Sequence, residues 1–263
     1  EFKQISLDGD LLFAVKANAH GVINMCMPSF SSKYFYSFDN DTAYLHRADT
    51  QSDTALNISI STYSSIDGAS PCLLADHTIW LTGGSHDRDY TYGSKKVFSV
   101  DTLRDLSVTK KPSMLQKRSY HGSICHDNYL YIIGGYRIIF LRHCERLNFE
   151  TDQWEAIAPL PRACGGLSVI HLKDHEAFFA LGGYDGKYLT IVQRLELSSL
   201  TWSILPTEFP FTTSNLPCFK LDESQVYFIN KGTLYAFNPS ISIVRQVKSL
   251  TGVEASYYGG PCQ

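Results

Sequence analysis

The chain has 263 residues, a formal net charge of −3, 19% charged side chains and 13% aromatic ones. That balance suits a single large strand-rich domain, and without a Lys/Arg cluster it argues against nucleic acid or an anionic membrane surface as the main partner. Helical periodicity is absent, and no apolar run reaches the roughly 18 residues that a spanning helix needs.

Residues 1–8 read as extra sequence. No Met opens the chain, and Glu1-Phe2 fits a cloning remnant or the point where a longer protein was cut. Strand patterns follow at Leu11 to Val15, around Phe13, and at "TAYLHR", around Tyr44. From Trp80 onward a pattern repeats clearly. "IWLTGG" ends at Gly84, "LYIIGG" at Gly135, "FFALGG" at Gly183 and a worn "VYFINK" at Lys231. Each carries an aromatic residue four places before its end, at Trp80, Tyr131, Phe179 and Tyr227, so the steps are 131−80 = 51, 179−131 = 48 and 227−179 = 48. Steps of this size match the four-stranded blade of a β-propeller.

A second signal keeps the same phase. Trp154 and Trp202 each stand nineteen residues beyond a glycine pair (154−135 and 202−183), after third strands that begin "CERLNFETDQW" at Cys144 and "VQRLELSSLTW" at Val192. The worn repeat has "LYAFNPSISIV" from Leu234, with Val244 in the tryptophan's place. This order of apolar strand, Gly-Gly, third strand, Trp and then Leu-Pro or Pro-Arg resembles the Kelch motif, best in Arg118 to Ala163. The resemblance covers about residues 70 to 245, and the blades within residues 1–70 are divergent.

The resemblance implies an all-β, six-bladed Kelch-type propeller filling residues 1–263 as one domain. Stepping back from Trp80 to Tyr44 and Phe13 adds two short blades, 36 and 31 residues, and the circle closes with 13 + 263 − 227 = 49. "SYYGGPC", Ser256 to Cys262, matches the first-strand sequence "SYHGSIC", Ser119 to Cys125. The C-terminal strand is therefore expected to pair with the N-terminal strands, closing the ring and removing an exposed edge. In this scheme the glycines let the chain pass a crowded centre, and each tryptophan fills the gap between adjacent blades.

Seven cysteines and no C-x-x-C spacing give neither a zinc site nor a disulfide framework. Cys72, Cys125, Cys218 and Cys262 fall in first strands, where a thiol behaves as a small buried hydrophobe. This usage, with no signal peptide, points to a reduced, cytoplasmic protein; the sequons at Asn40 and Asn57 point the other way. His121, Cys125, His126, His143 and Cys144 cluster in sequence, but strand alternation turns the thiol inward and puts His126 at the head of the Asp127-Asn128 turn. No phosphate loop, G-x-S-x-G or H-E-x-x-H is present, so no catalytic residue, cofactor or metal is assigned.

In Kelch propellers the loops after the glycine pair open on the face that commonly binds partners, and many Kelch adaptors use arginines and tyrosines around the central opening to hold a short acidic peptide. The resemblance thus implies a protein-interaction module, a substrate receptor or scaffold, rather than an enzyme. The matching residues are Arg118, Tyr120, Tyr136, Arg137, Arg162, Tyr184, Asp185, Lys187, Tyr188 and Tyr257. Arg118 and Arg162 are expected at equivalent entrances of successive blades, as a forked pair for an acidic or phosphorylated peptide. Two alternatives stay open: a Kelch-superfamily enzyme of the copper radical oxidase or sugar isomerase type, and a secreted carbohydrate-binding propeller.

Overall fold

The computed structural model describes residues 68–249, apart from 75–77, 86–92, 102–106, 215–217, 221 and 231–232, together with the backbone of six strands between residues 2 and 56. Every sheet is antiparallel, and the one helical turn among the described residues is a 3-10 turn at Lys173–His175.

In chain order, β1 (Phe2–Leu7) pairs with β2 (Asp10–Lys16) as a two-stranded sheet. A four-stranded sheet follows, built of β3 (Asn24–Cys26), β4 (Tyr34–Asp39), β5 (Thr42–Arg47) and β6 (Ser52–Leu56). The next sheet holds β7 (Ala69–Leu73), β8 (Thr78–Gly83), β9 (Val97–Asp101) and β10 (Val108–Lys111). Then come β11 (Gly122–His126) and β12 (Tyr129–Ile133), a small hairpin of β13 (Tyr136–Arg137) and β14 (Ile139–Phe140), and β15 (Cys144–Asn148) and β16 (Gln153–Ile157). The following sheet is β17 (Ser168–Leu172), β18 (Ala177–Leu181), β19 (Leu189–Glu196) and β20 (Thr201–Thr213). The last is β21 (Cys218–Phe219), β22 (Val226–Asn230), β23 (Thr233–Asn238) and β24 (Ile243–Ser249).

Strands pair in sequence order within each sheet, and the first strands β3, β7, β11, β17 and β21 are neighbours one after the next. This is a propeller, with four consecutive full blades between Ala69 and Ser249 whose side chains are described. The expected six-blade count is not met as such: β1 and β2 form a two-stranded sheet, and residues 250–263, which carry the expected closing strand and Tyr257, lie outside the described residues.

The repeated aromatic positions are all core. Trp80, Tyr131, Phe179 and Tyr227 are buried, as the second-strand register requires. Each full blade packs its broad face on the next. Trp154 of β16 packs against a buried cluster that includes Trp80 and Val97 of the preceding blade, and Trp202 of β20 against one that includes Tyr131, Ile133 and Cys144 of its own preceding blade. The tryptophans thus serve the inter-blade role read from their spacing. Trp154 Nε1 donates to Pro112 O at 2.9 Å, whereas Trp202 Nε1 is buried with no partner among the described residues.

The glycine pairs explain how blades meet at the centre. Gly134 and Gly135 have φ of 61° and 107°, a region that side-chain-bearing residues avoid. A Cβ would lie 2.7 Å from Cys164 O at Gly134 and 2.8 Å from Ser119 O at Gly135. Gly135 N–H instead donates to Cys164 O at 2.8 Å, tying the second strand of one blade to the entrance of the next. A further backbone series crosses the centre: Tyr120 N–H donates to Gly68 O, and Gly166 N–H donates to Tyr120 O, both at 2.7 Å.

Candidate interaction surface

The loops that follow the glycine pairs emerge at the same end as the first-strand entrances. Ser119 and Tyr136 exchange backbone hydrogen bonds at 2.9 and 2.8 Å, and Gly165 and Tyr184 do the same at 3.0 and 2.7 Å. These bridges fix where each loop starts and bring two of them side by side on adjacent blades.

The first loop is the β13–β14 hairpin. Its base is held by Leu141 N–H to Gly135 O and by Arg142 Nε to Leu160 O, at 2.8 and 2.6 Å. Its tip is apolar and uncovered: Ile138 is 59% and Ile139 66% exposed, beside exposed Arg137. Ile138 has φ of 62°, a region costly for a β-branched side chain, and such strain persists where the surroundings or a function hold it.

The second loop, Tyr184 to Tyr188, turns at exposed Gly186, with Asp185 N–H donating to Lys187 O at 3.2 Å. Four rings run from one loop to the other. Tyr136 meets Phe140 at 5.0 Å, Phe140 meets Tyr184 edge-on at 5.5 Å, and Tyr184 meets Tyr188 at 5.1 Å. Edge-on contacts at these separations are favourable beyond simple burial and hold the rings as one rigid ridge. Lys187 stands exposed beside it.

The structure brings Tyr136, Arg137, Tyr184, Asp185, Lys187 and Tyr188 together, with Arg162 at their edge. Arg162 donates through Nε and NH2 to Asp185 Oδ2, each at 2.7 Å, so its fork is directed onto the loop beside it. Tyr120 lies apart at the central crossing, half-buried with φ of 51°.

Arg118 requires a correction. Its side chain is fully buried rather than on the rim. It donates to Glu145 at 2.5 Å, to Gly134 O at 2.6 Å and to His143 O at 2.8 Å. Burial lowers its pKa and Glu145 opposes that shift. Nor is it the equivalent of Arg162. Arg118 O accepts from Gly84 N–H, as Cys164 O does from Gly135 N–H, so Cys164 is its counterpart. Arg162 corresponds to Gln116: the N–H of Gln116 donates to Glu145 at 3.3 Å and that of Arg162 to Gln193 at 2.9 Å. The arginine that follows "LP" and the one in "KRSY" are two positions out of step, and no forked arginine pair forms.

Sequence reasoning also missed Ile138, Ile139 and Phe140. Their signal was present as three apolar residues in a loop, where strand alternation gives no reason for them. His121 is buried, shares a 2.8 Å hydrogen bond with Thr82 Oγ1 and is held well below the usual histidine range by burial and by the Arg118 charge, so it belongs to the core. Among the described residues no three His, Cys, Asp or Glu side chains are grouped to hold a metal ion.

Residues 117–161 match the Kelch motif. The chain is also similar to a Kelch repeat-containing protein of Dictyostelium discoideum, 33% identical over 84 residues. That stretch takes in 30% of this chain and only 13% of the relative.

Proposed function

We propose that this chain, a member of the Kelch-repeat family, is a protein-interaction module that holds a partner segment on the aromatic ridge between its two central blades. Kelch repeats and the propeller fold generally mediate protein–protein interaction, and the ridge is where this propeller departs from a plain solvated surface. The observation that carries the reading is the strained hairpin tip, which exposes two isoleucines next to a braced row of tyrosines. Exposed apolar groups gathered in this way mark contact sites, and aromatic and arginine side chains dominate interface energetics. The partner segment carries an apolar anchor for Ile138, Ile139 and the Tyr184 ring, with an acidic group opposite Arg137 and Lys187. A role as substrate receptor or scaffold in the cytoplasm belongs to the same proposal.

We test it by affinity capture from native cells, identifying the retained proteins. The double change Ile139→Asp with Tyr184→Ala removes the specific partner while leaving the unfolding midpoint unchanged. Retention of that partner by the double variant, and its loss on changing Asp127 and Asp174 at the opposite end, overturns the reading.

The ring itself is proposed to have six blades, the sixth formed when residues 255–263 join β1 and β2. Deletion of those residues then leaves an open edge and gives aggregated protein. A monomeric truncated chain with an unchanged melting temperature refutes this closure without touching the ridge.

A further inference from the structure

The first strands β7 and β11 belong to adjacent blades and face each other in two rungs. Ser70 Oγ and Ser123 Oγ lie 2.7 Å apart, and Ser123 Oγ also donates to Pro71 O at 3.3 Å. Two residues along, on the same side of each strand, Cys72 Sγ and Cys125 Sγ lie 2.7 Å apart. Strand alternation puts both pairs in the seam, and the serine rung fixes the two backbones beside the sulfurs. Both cysteines are thiols. Cys72 is buried and Cys125 is half-buried, so Cys125 is the less enclosed residue of the pair.

We propose that Cys72 and Cys125 form a reversible disulfide that staples adjacent blades when the chain meets a small-molecule disulfide such as glutathione disulfide. The Cys125 thiol loses its proton, and its sulfur attacks the small disulfide. One small thiolate leaves, taking up a proton. The Cys72 sulfur, likewise deprotonated, then attacks the Cys125 side of the mixed disulfide and expels the second small thiol. Two protein thiols lose two electrons and two protons, and one small disulfide is reduced to two thiols, so the exchange balances.

Burial pushes Cys144 up to about 11 and Cys164 up to about 12, which keeps both protonated at neutral pH and poor nucleophiles. Among the described residues no sulfur is paired with either at the separation found in the seam; Cys164 has Gln193 Nε2 at 3.6 Å instead. The linked positions are 53 apart in sequence, so the staple restricts the unfolded chain and stabilises the folded one.

The test uses the whole chain, purified with reductant and then exposed to glutathione disulfide with and without urea. Remaining thiols are alkylated and the protein is mapped by mass spectrometry. Native oxidation yields a peptide joining Cys72 to Cys125 that dithiothreitol dissolves, and a higher unfolding midpoint in the oxidised form. Cys125→Ser shows neither the link nor the rise. The proposal fails if Cys125 ends as a glutathione adduct with Cys72 still alkylatable, if Cys125 joins a different cysteine, or if the link forms only in urea.

Discussion

Two successive blades solve one packing problem with different chemistry. In the blade of β11 to β16, Glu145 accepts the N–H groups of Leu115 and Gln116 and pairs with buried Arg118. In the blade of β17 to β20, Gln193 stands 48 residues later, accepts the N–H of Arg162, and reaches Cys164 in place of the arginine. Both side chains bind the entering chain to the third strand. The backbone asks only for an acceptor at this place, so the charge in the first blade is an additional commitment, favourable only while both ions remain together.

The largest effect is expected from separating them. Arg118→Ala or Glu145→Ala alone leaves a buried charge unpaired and costs about 3–5 kcal/mol in urea unfolding. Arg118→Cys together with Glu145→Gln, which copies the neighbouring blade, costs less than either single change. A double variant as unstable as the sum of the singles means that the two clasps are not equivalent.

The tryptophans come next. Trp154→Ala and Trp202→Ala each open a gap toward the preceding blade and lower stability by about 3 kcal/mol, the low end for such truncations because both rings are half-buried. Trp154→Phe costs about 1 kcal/mol more than Trp202→Phe, because only Trp154 gives up a hydrogen bond. Equal costs for the two phenylalanine variants remove that distinction.

The smallest effect at neutral pH sharpens the comparison further. By the same register His121 corresponds to Leu167, and Thr82 Oγ1 keeps a second bond to Ser70 O without it. His121→Leu therefore leaves stability at pH 8 nearly unchanged. The folded-state pKa of His121 is depressed, so the unfolded chain takes up a proton that the folded chain refuses. Stability from this group is present above about pH 6.5 and is lost below it, by about 1.4 kcal/mol per pH unit. The leucine variant lacks that component, and a wild-type slope identical to the variant's between pH 6.5 and 5 refutes it.

Blade spacing was legible because its cause is rigid. A glycine pair with positive φ and a buried aromatic four places earlier meet the close packing in three of the four full blades, and the fourth keeps the aromatic alone, so the pattern recurs at 48 to 51 residues. The entrance segments were misread because nothing forces their length to match. The step from Arg118 to Cys164 is 46 residues while that from Glu145 to Gln193 is 48, and an arginine near each entrance concealed the slip. A buried arginine and a half-buried one look alike in sequence; only the partner, Glu145, separates them, and its importance follows from three-dimensional register. The exposed isoleucines were visible and passed over because apolar residues in a strand-rich chain invite a core assignment.

The crossing of the centre at Gly68, Tyr120 and Gly166 has a direction. At each step the later blade supplies the N–H and the earlier one the carbonyl. During synthesis the chain emerges N-terminus first, so at both of these steps the acceptor is made before its donor. Each of these two blades can therefore dock on its predecessor as it emerges.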